Sequence, residues 1–324
     1  MMKSRLSKIV AAIFLLVCFC LFTTPVKDGD CFWHIATGLW IWDHNSLPVT
    51  DPFTFTFSQH GTSSVSGFIL NQYWLGQLAL AAIWKAGGSA GIVIFRAFTY
   101  CTILLFLFAW LRKRHTELFA LLMLLPLASI FASYPNERPQ LFTFLMMPLV
   151  LWLLEKLRET GRPSTLHLVS LPAAMLIWAN CHGGYILGTL CIFIYLITMY
   201  LRPSIIENTG KNASALAMIA ALAASTLNPN GINAFVEIFR MQSSAPVVQE
   251  FLSPFRAARE LHLWFPEYWI VLALLVYTIV TKLKSMQLQH LLTLVMLAAL
   301  FNFAPLHPFS SDGNAGNGSL PPSD

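Results

Sequence analysis

Long apolar runs recur along the whole chain and constrain its fold more than any other feature. A transmembrane helix needs about 20 consecutive, mostly apolar residues. Only 11% of the 324 residues are charged, compared with about 25% in a typical soluble domain. The sequence therefore predicts an all-α integral membrane protein with about nine transmembrane helices, within a range of roughly eight to ten. The predicted segments are 8–26, 89–111, 117–133, 140–154, 166–180, 184–201, 213–227, 268–281 and 288–303.

The distribution of basic residues predicts the orientation of these helices. Most of the 20 lysines and arginines lie before the first segment or in alternate loops, whereas most of the 15 acids lie in the other loops. The positive-inside rule then places the N-terminus in the cytoplasm and predicts a multi-pass protein of the cytoplasmic membrane. The net charge of +5 is modest, and the basic residues are spread over these short clusters. We therefore expect no nucleic-acid partner.

This orientation divides the chain into a transmembrane domain at 1–303 and a polar tail at 304–324, predicted to be disordered. The long external loops are 27–88 and 228–267. Tryptophan-rich amphipathic patterns in "CFWHIATGLWIW" and "NQYWLGQLALAAIWK" predict two interfacial helices in the first loop.

Two local features leave alternatives open. The N-terminal segment has the basic start and apolar middle of a signal peptide, but it lacks an A-x-A-like cleavage site, which favours a retained helix. Cys31 and Cys181 fall at segment ends and could pair if they meet, although two unpaired thiols are the more common situation.

The acid pair Asp28 and Asp30 follows the first segment, with His34 close behind. Two carboxylates spaced by two residues can hold a divalent cation or divide general-base work. Such acids are also ordinary solvated residues of a turn. The nature of any cofactor stays open, and a divalent cation at Asp28 and Asp30 is one candidate.

Two arginines near the predicted outer surface are candidates for binding a lipid phosphate. Arg138 is the only basic residue of "YPNERP", and a guanidinium can bind phosphate through two parallel hydrogen bonds. Arg96 lies in the second predicted helix, where charge is rare and commonly functional. Each could instead snorkel to the headgroups, and Arg138 could pair with the adjacent Glu137.

The segment "WANCHGG" places Asn180 and His182 at the outer end of a helix pair. His182 could bind a ligand or simply close the turn, for which Gly183 and Gly184 supply backbone freedom. We include both polar residues among the candidates for substrate binding.

Four segments in this order resemble the GT-C type of bacterial membrane glycosyltransferases. "DGDCFWHIATGLWIWDHNSLPVTDPFTFT" resembles the pattern D-x-D-x-W-W-H-x-x-x-G-x-W-I followed by P-x-x-D-P-F-S-F-T. "RPQLFTF", "WANCHGG" and "LNPNG" follow, as their counterparts do in that family. Phe32 stands where the family has the first tryptophan.

The resemblance implies transfer of a hexose or pentose from a polyprenyl-phosphate donor to an acceptor at the outer face of the membrane. It implies that Asp28 or Asp30 is the catalytic carboxylate, which acts as general base on the acceptor hydroxyl or orients it. It also implies that His34 and Asp51 match the family's histidine and D-P-F aspartate, and that Arg138 contacts the lipid phosphate. Membrane lipid and the lipid-linked sugar are the expected partners.

Other functions stay open at this point. The family pattern continues with further helices, so the resemblance also predicts a C-terminally truncated or short variant, which could be a non-catalytic scaffold. A transporter or lipid-handling protein is a further alternative. The absence of an internal repeat and of acids in the interior of the predicted helices counts against ion-coupled transport.

Overall fold

The computed structural model describes most of the chain. The described residues are 2–53, 68, 70–133, 135–159, 163–201, 208–243, 258–259 and 266–302. The predicted disordered tail and part of each long external loop lie outside them. Within the described ranges the protein is all-α, and its helices are joined by turns without any strand.

Eleven helices make up the ordered elements of the described ranges. They are α1 (Met2–Phe22), α2 (Asp30–His44), α3 (Trp74–Leu111), α4 (Glu117–Ser133), α5 (Gln140–Glu159), α6 (Thr165–Cys181), α7 (Tyr185–Leu201), α8 (Asn208–Ala224), α9 (Asn233–Ser243), α10 (Pro266–Lys282) and α11 (Leu288–Asn302). Each apolar segment predicted from the sequence coincides with one of these helices.

The first helix ends earlier than predicted, at Phe22 instead of residue 26. Pro25 explains the difference, because its ring disfavours helical geometry at the preceding residue, Thr24. The chain from 23 to 28 is therefore non-helical and exposes backbone carbonyls that a side chain can bind.

Both helices predicted for the first external loop are present. The first is α2, and the second forms the beginning of α3, where it is continuous with the following apolar helix. α3 contains a kink at Gly88, where φ is 54° and ψ is −144°. That conformation is readily available only to glycine. The kink separates the amphipathic first part of α3, which packs along α2, from its apolar second part.

Two helical stretches, Trp74–Leu111 and Gln140–Arg158, are long and apolar enough to cross a membrane as judged by length and composition. Several of the other apolar helices have 10–17 residues. Among the described residues, the structure thus shows the helices and their apolar character, whereas the number of membrane crossings stays a prediction.

In the part of the chain that the structure describes, three apolar clusters hold the helices together, and the smallest packs α2 against α3 through Cys31, Ile35, Leu80 and Ile92. The other two are larger. One joins α5, α6, α7 and α8 around the fully buried Trp178 and Tyr185. The other joins α1, α3 and α4, where the rings of Tyr100 and Phe131 stack with centroids 4.1 Å apart. The links α1–α2, α4–α5 and α6–α7 are brought together at one end of these cores by the contacts described below.

Candidate functional site

Asp28, Asp30 and Arg138 form one cluster, which we call the acid–arginine cluster. Arg138 Nε donates to Asp28 Oδ2, and Arg138 Nη1 lies 3.1 Å from Asp30 Oδ2. The Asp30 side chain is 64% exposed and that of Asp28 only 12%. The structure therefore brings together three of the predicted site residues, with one carboxylate open to solvent.

The turn before α2 orders the two acids. Asp28 Oδ1 accepts the backbone N–H of Asp30 at 3.1 Å, while its other oxygen faces Arg138. Arg138 is set by its own loop, since its N–H donates to Asn136 Oδ1 at 3.0 Å. Both sides of the cluster are thus oriented by local hydrogen bonds as well as by opposite charge.

The donor set gives no support for a metal site. Among the described residues, no three histidine, cysteine, aspartate or glutamate side chains come together as a metal ion would require. The guanidinium of Arg138 lies between the two carboxylates. It provides the positive charge that a divalent cation would otherwise contribute.

His34 lies on the buried face of α2, against α3. Gly38 permits this close packing, since a Cβ there would overlap the Gln77 carbonyl. The Gln77 side-chain amide lies 3.3 Å from His34 Nδ1. Burial, together with smaller contributions from repulsion by His182 and Arg138, lowers the pKa of His34 to about 3, so the ring is neutral at pH 7.

His182 is oriented by contacts within its own turn, the second of the two roles considered from the sequence. Gly184 N–H donates to its Nδ1 at 3.0 Å, and Thr143 Oγ1 lies 2.8 Å from the same atom. Thr143 in turn accepts from Trp178 Nε1 at 2.9 Å. Because a backbone N–H can only donate, Nδ1 of His182 is unprotonated and the ring proton is on Nε2. The dense packing around the ring lowers its pKa to about 4.

Tyr73 joins the two histidines. Its ring centroid lies 6.2 Å from that of His34 and 4.9 Å from that of His182. Burial raises the pKa of Tyr73 to about 12, so the phenol stays protonated. The three rings form a neutral polar layer. The charge of Arg138 contributes to the lowered pKa of one of them, His34.

Arg96 lies elsewhere than predicted for a lipid-phosphate contact. Its side chain has no exposed surface and pairs with the equally buried Glu137. Its Nη2 donates to the carbonyls of Phe22 and Thr24, each at 2.6 Å. Because a fully enclosed guanidinium cannot touch a phosphate at the surface, we leave Arg96 out of the binding site.

Asn180 and Asp51 also make structural contacts. Asn180 Oδ1 accepts from Trp74 Nε1 at 2.7 Å, and its amide donates to the Leu227 carbonyl at 2.8 Å. Asp51 is buried and accepts the N–H of Phe53 at 2.9 Å. These bonds join "WANCHGG" to "LNPNG" and close the turn at "DPF". They explain both residues without a substrate.

Sequence reasoning predicted a helix at the start of α3 but missed its polar residues as part of the site. Tyr73 and Gln77 complete the polar layer, and the Gln72 side-chain amide donates to the Ala179 carbonyl at 2.5 Å. The available signal was two amides and a tyrosine within an otherwise apolar pattern. Cys31 and Cys181 are both buried and free, so the possible disulfide does not form.

The chain matches no protein-family model, no curated protein and no solved structure in the comparisons.

Proposed function

We propose that the chain is a multi-pass membrane glycosyltransferase with its N-terminus in the cytoplasm of a bacterial cell. It transfers a sugar from a polyprenyl-phosphate donor to an acceptor at the outer face of the cytoplasmic membrane. The acid–arginine cluster carries this proposal, because it unites an exposed carboxylate with a guanidinium suited to phosphate. The four-segment resemblance to GT-C enzymes supports it.

Exposed apolar surface supports the membrane part of the proposal. α10 buries none of its residues. Leu16, Leu118 and Val280, from three different helices, are each more than 60% exposed. Water would oppose so much apolar exposure, whereas lipid tails accommodate it.

The cluster supports a division of roles. As the acceptor oxygen bonds to the anomeric carbon, Asp30 takes the acceptor's hydroxyl proton. The bond between that carbon and the phosphate oxygen breaks, and Arg138 stabilises the charge on the departing lipid phosphate. Asp28 holds Arg138 in place. We assign no proton transfer to His34, since its side chain is buried.

The test is transfer from a labelled polyprenyl-phosphate sugar in membranes that contain the protein. Replacing a general base commonly lowers the rate by about 10²- to 10⁴-fold. We expect a loss of that size for Asp30→Asn, and a loss for Arg138→Gln because the phosphate contact disappears. Asp43→Asn is the matched control, since Asp43 is an exposed acid on the same helix.

Full transfer by both Asp28→Asn and Asp30→Asn would refute the proposed base. A parent protein that transfers no sugar from hexosyl or pentosyl donors would favour the non-catalytic alternative.

The orientation has its own test. We expect a membrane-impermeant thiol reagent to label His44→Cys in intact spheroplasts and to label His115→Cys only after permeabilisation. Both positions are exposed in the structure. The reverse pattern would overturn the proposed topology, but it would not bear on the proposed roles of Asp30 and Arg138.

A further inference from the structure

Arg96 bonds both chain segments that carry the acid–arginine cluster. Its Nη1 pairs with Glu137, the residue directly before Arg138. Its Nη2 donates to the Phe22 and Thr24 carbonyls and to Thr24 Oγ1 at 3.0 Å. Thr24 lies in the non-helical link that leads to Asp28. One buried side chain thus joins the link before α2 to the link before α5.

We infer that Arg96 is a positioning residue that sets the separation between Asp28 and Arg138. The acid–arginine cluster is partly exposed, so water competes with its own ion pairs. The Arg96 side chain is buried, so its bonds are shielded from water. They connect the link before α2 to the link before α5. The separation of the charged groups therefore depends on a residue that does not touch them.

The link before α5 has a second buried attachment to the same helix. Tyr100, one turn after Arg96 on α3, accepts the Asn136 N–H at 3.1 Å through its hydroxyl. Asn136 in turn accepts the Arg138 N–H. α3 thus acts as the platform for Arg138, and Arg96 extends that platform to the segment that precedes Asp28.

The buried pair is better suited to geometry than to stability. Within the described part of the chain, Arg96 Nε and Glu137 Oε2 are buried and make no hydrogen bond. Incompletely bonded buried ion pairs often add little net stability over apolar residues of similar volume. Replacing both partners by methionine therefore keeps the interior free of unpaired charge while it removes the restraint.

The experiment measures dipolar coupling between spin labels at Lys27→Cys and Arg138→Cys, one on each restrained segment. Cys20 and Cys101, which are not fully buried, are replaced by alanine. The label at 138 also removes the surface ion pairs, so Arg96 is the connection under test. We expect a narrow distance distribution with Arg96 and Glu137 present, and a broader distribution in Arg96→Met/Glu137→Met.

The matched control is Arg112→Met/Glu117→Met, which removes an exposed arginine–glutamate pair with a separation of 2.9 Å. It should leave the distribution narrow. Arg96→Lys retains the charge but not the guanidinium fork, so we expect an intermediate width. A folded Arg96→Met/Glu137→Met protein with the parent's distribution would overturn the inference.

An activity measurement with the unlabelled double variant separates positioning from binding. This part alone rests on the proposed function. Misplacement of catalytic groups by about 1 Å can cost about 100-fold in rate, so we expect kcat to fall by up to that factor. Unchanged kcat would overturn the inference. A parent without transfer would refute the proposed function and leave the distance measurement to decide the inference.

Discussion

Arg96 and Arg138 lie at the same end of the molecule and each bonds acidic side chains, yet their surroundings differ. Arg96 has no exposed surface, whereas the Arg138 side chain is 24% exposed. Their partners are close in sequence, since Glu137 pairs with Arg96 and precedes Arg138. Because Arg96 is buried, it acts as part of the framework, whereas the partly exposed Arg138 is accessible to a ligand.

The largest expected effect is on stability and would test this contrast directly. Arg96→Met leaves the charge of Glu137 buried and unpaired, a change that costs about 3–5 kcal/mol. Arg138→Met breaks pairs that water already solvates in part, where the loss is about 0–1 kcal/mol. Denaturation in detergent, followed by circular dichroism, measures the free energy of unfolding. Equal losses for the two variants would abolish the distinction between framework and site.

The second effect concerns the two neutral histidines of the polar layer, His34 and His182. The pKa values of His34 and His182, about 3 and about 4, lie below the ordinary value of 6.5. The unfolded chain therefore binds protons first as the pH falls below 6.5. Stability should drop by about 1.4 kcal/mol per pH unit for each histidine, continuing until the pH reaches the folded pKa.

Unfolding midpoints measured between pH 7.5 and pH 5 test this dependence. His34→Gln/His182→Gln should flatten the profile, while His44→Gln, at an exposed position, should not. An unchanged slope in the double variant would show that other groups control the acid sensitivity.

A third, smaller effect tests the packing that places α2. Gly38→Ala adds a methyl group against the Gln77 carbonyl, and such overpacking costs about 1–3 kcal/mol. Gly87→Ala is the matched control, since a Cβ at Gly87 meets no atom within 4 Å. Thermal unfolding compares the two. Tolerance of alanine at both positions would mean that α2 can shift without loss.

The smallest expected change in stability is that of Asp30→Asn. Its carboxylate is mostly exposed, so the free energy of unfolding should fall by about 1 kcal/mol or less. The proposed function requires a large loss of transfer from the same variant. A marked loss of stability in Asp30→Asn would show that Asp30 supports the folded structure and is not a free site residue.

Part of the candidate site could be predicted because it depends on local sequence. Asp28 and Asp30 lie beside a helix start, and Arg138 lies in a short link between two apolar segments. Each of these residues was a candidate from the sequence, and their contact with one another is a finding of the structure. Arg96 was predicted to contact a phosphate, but it pairs with Glu137 instead. From the sequence, Glu137 was expected only as a partner for Arg138.

The sequence by itself determined where the apolar helices lie. Hydropathy is a property of short stretches, so no distant contact is needed to infer it. Only the tertiary structure decided which arginine is enclosed and which is open. It also placed Tyr73 and Gln77 with the histidines. Burial of a side chain depends on partners far away in sequence, such as Glu137 for Arg96 and Asp28 for Arg138, which are 41 and 110 residues away.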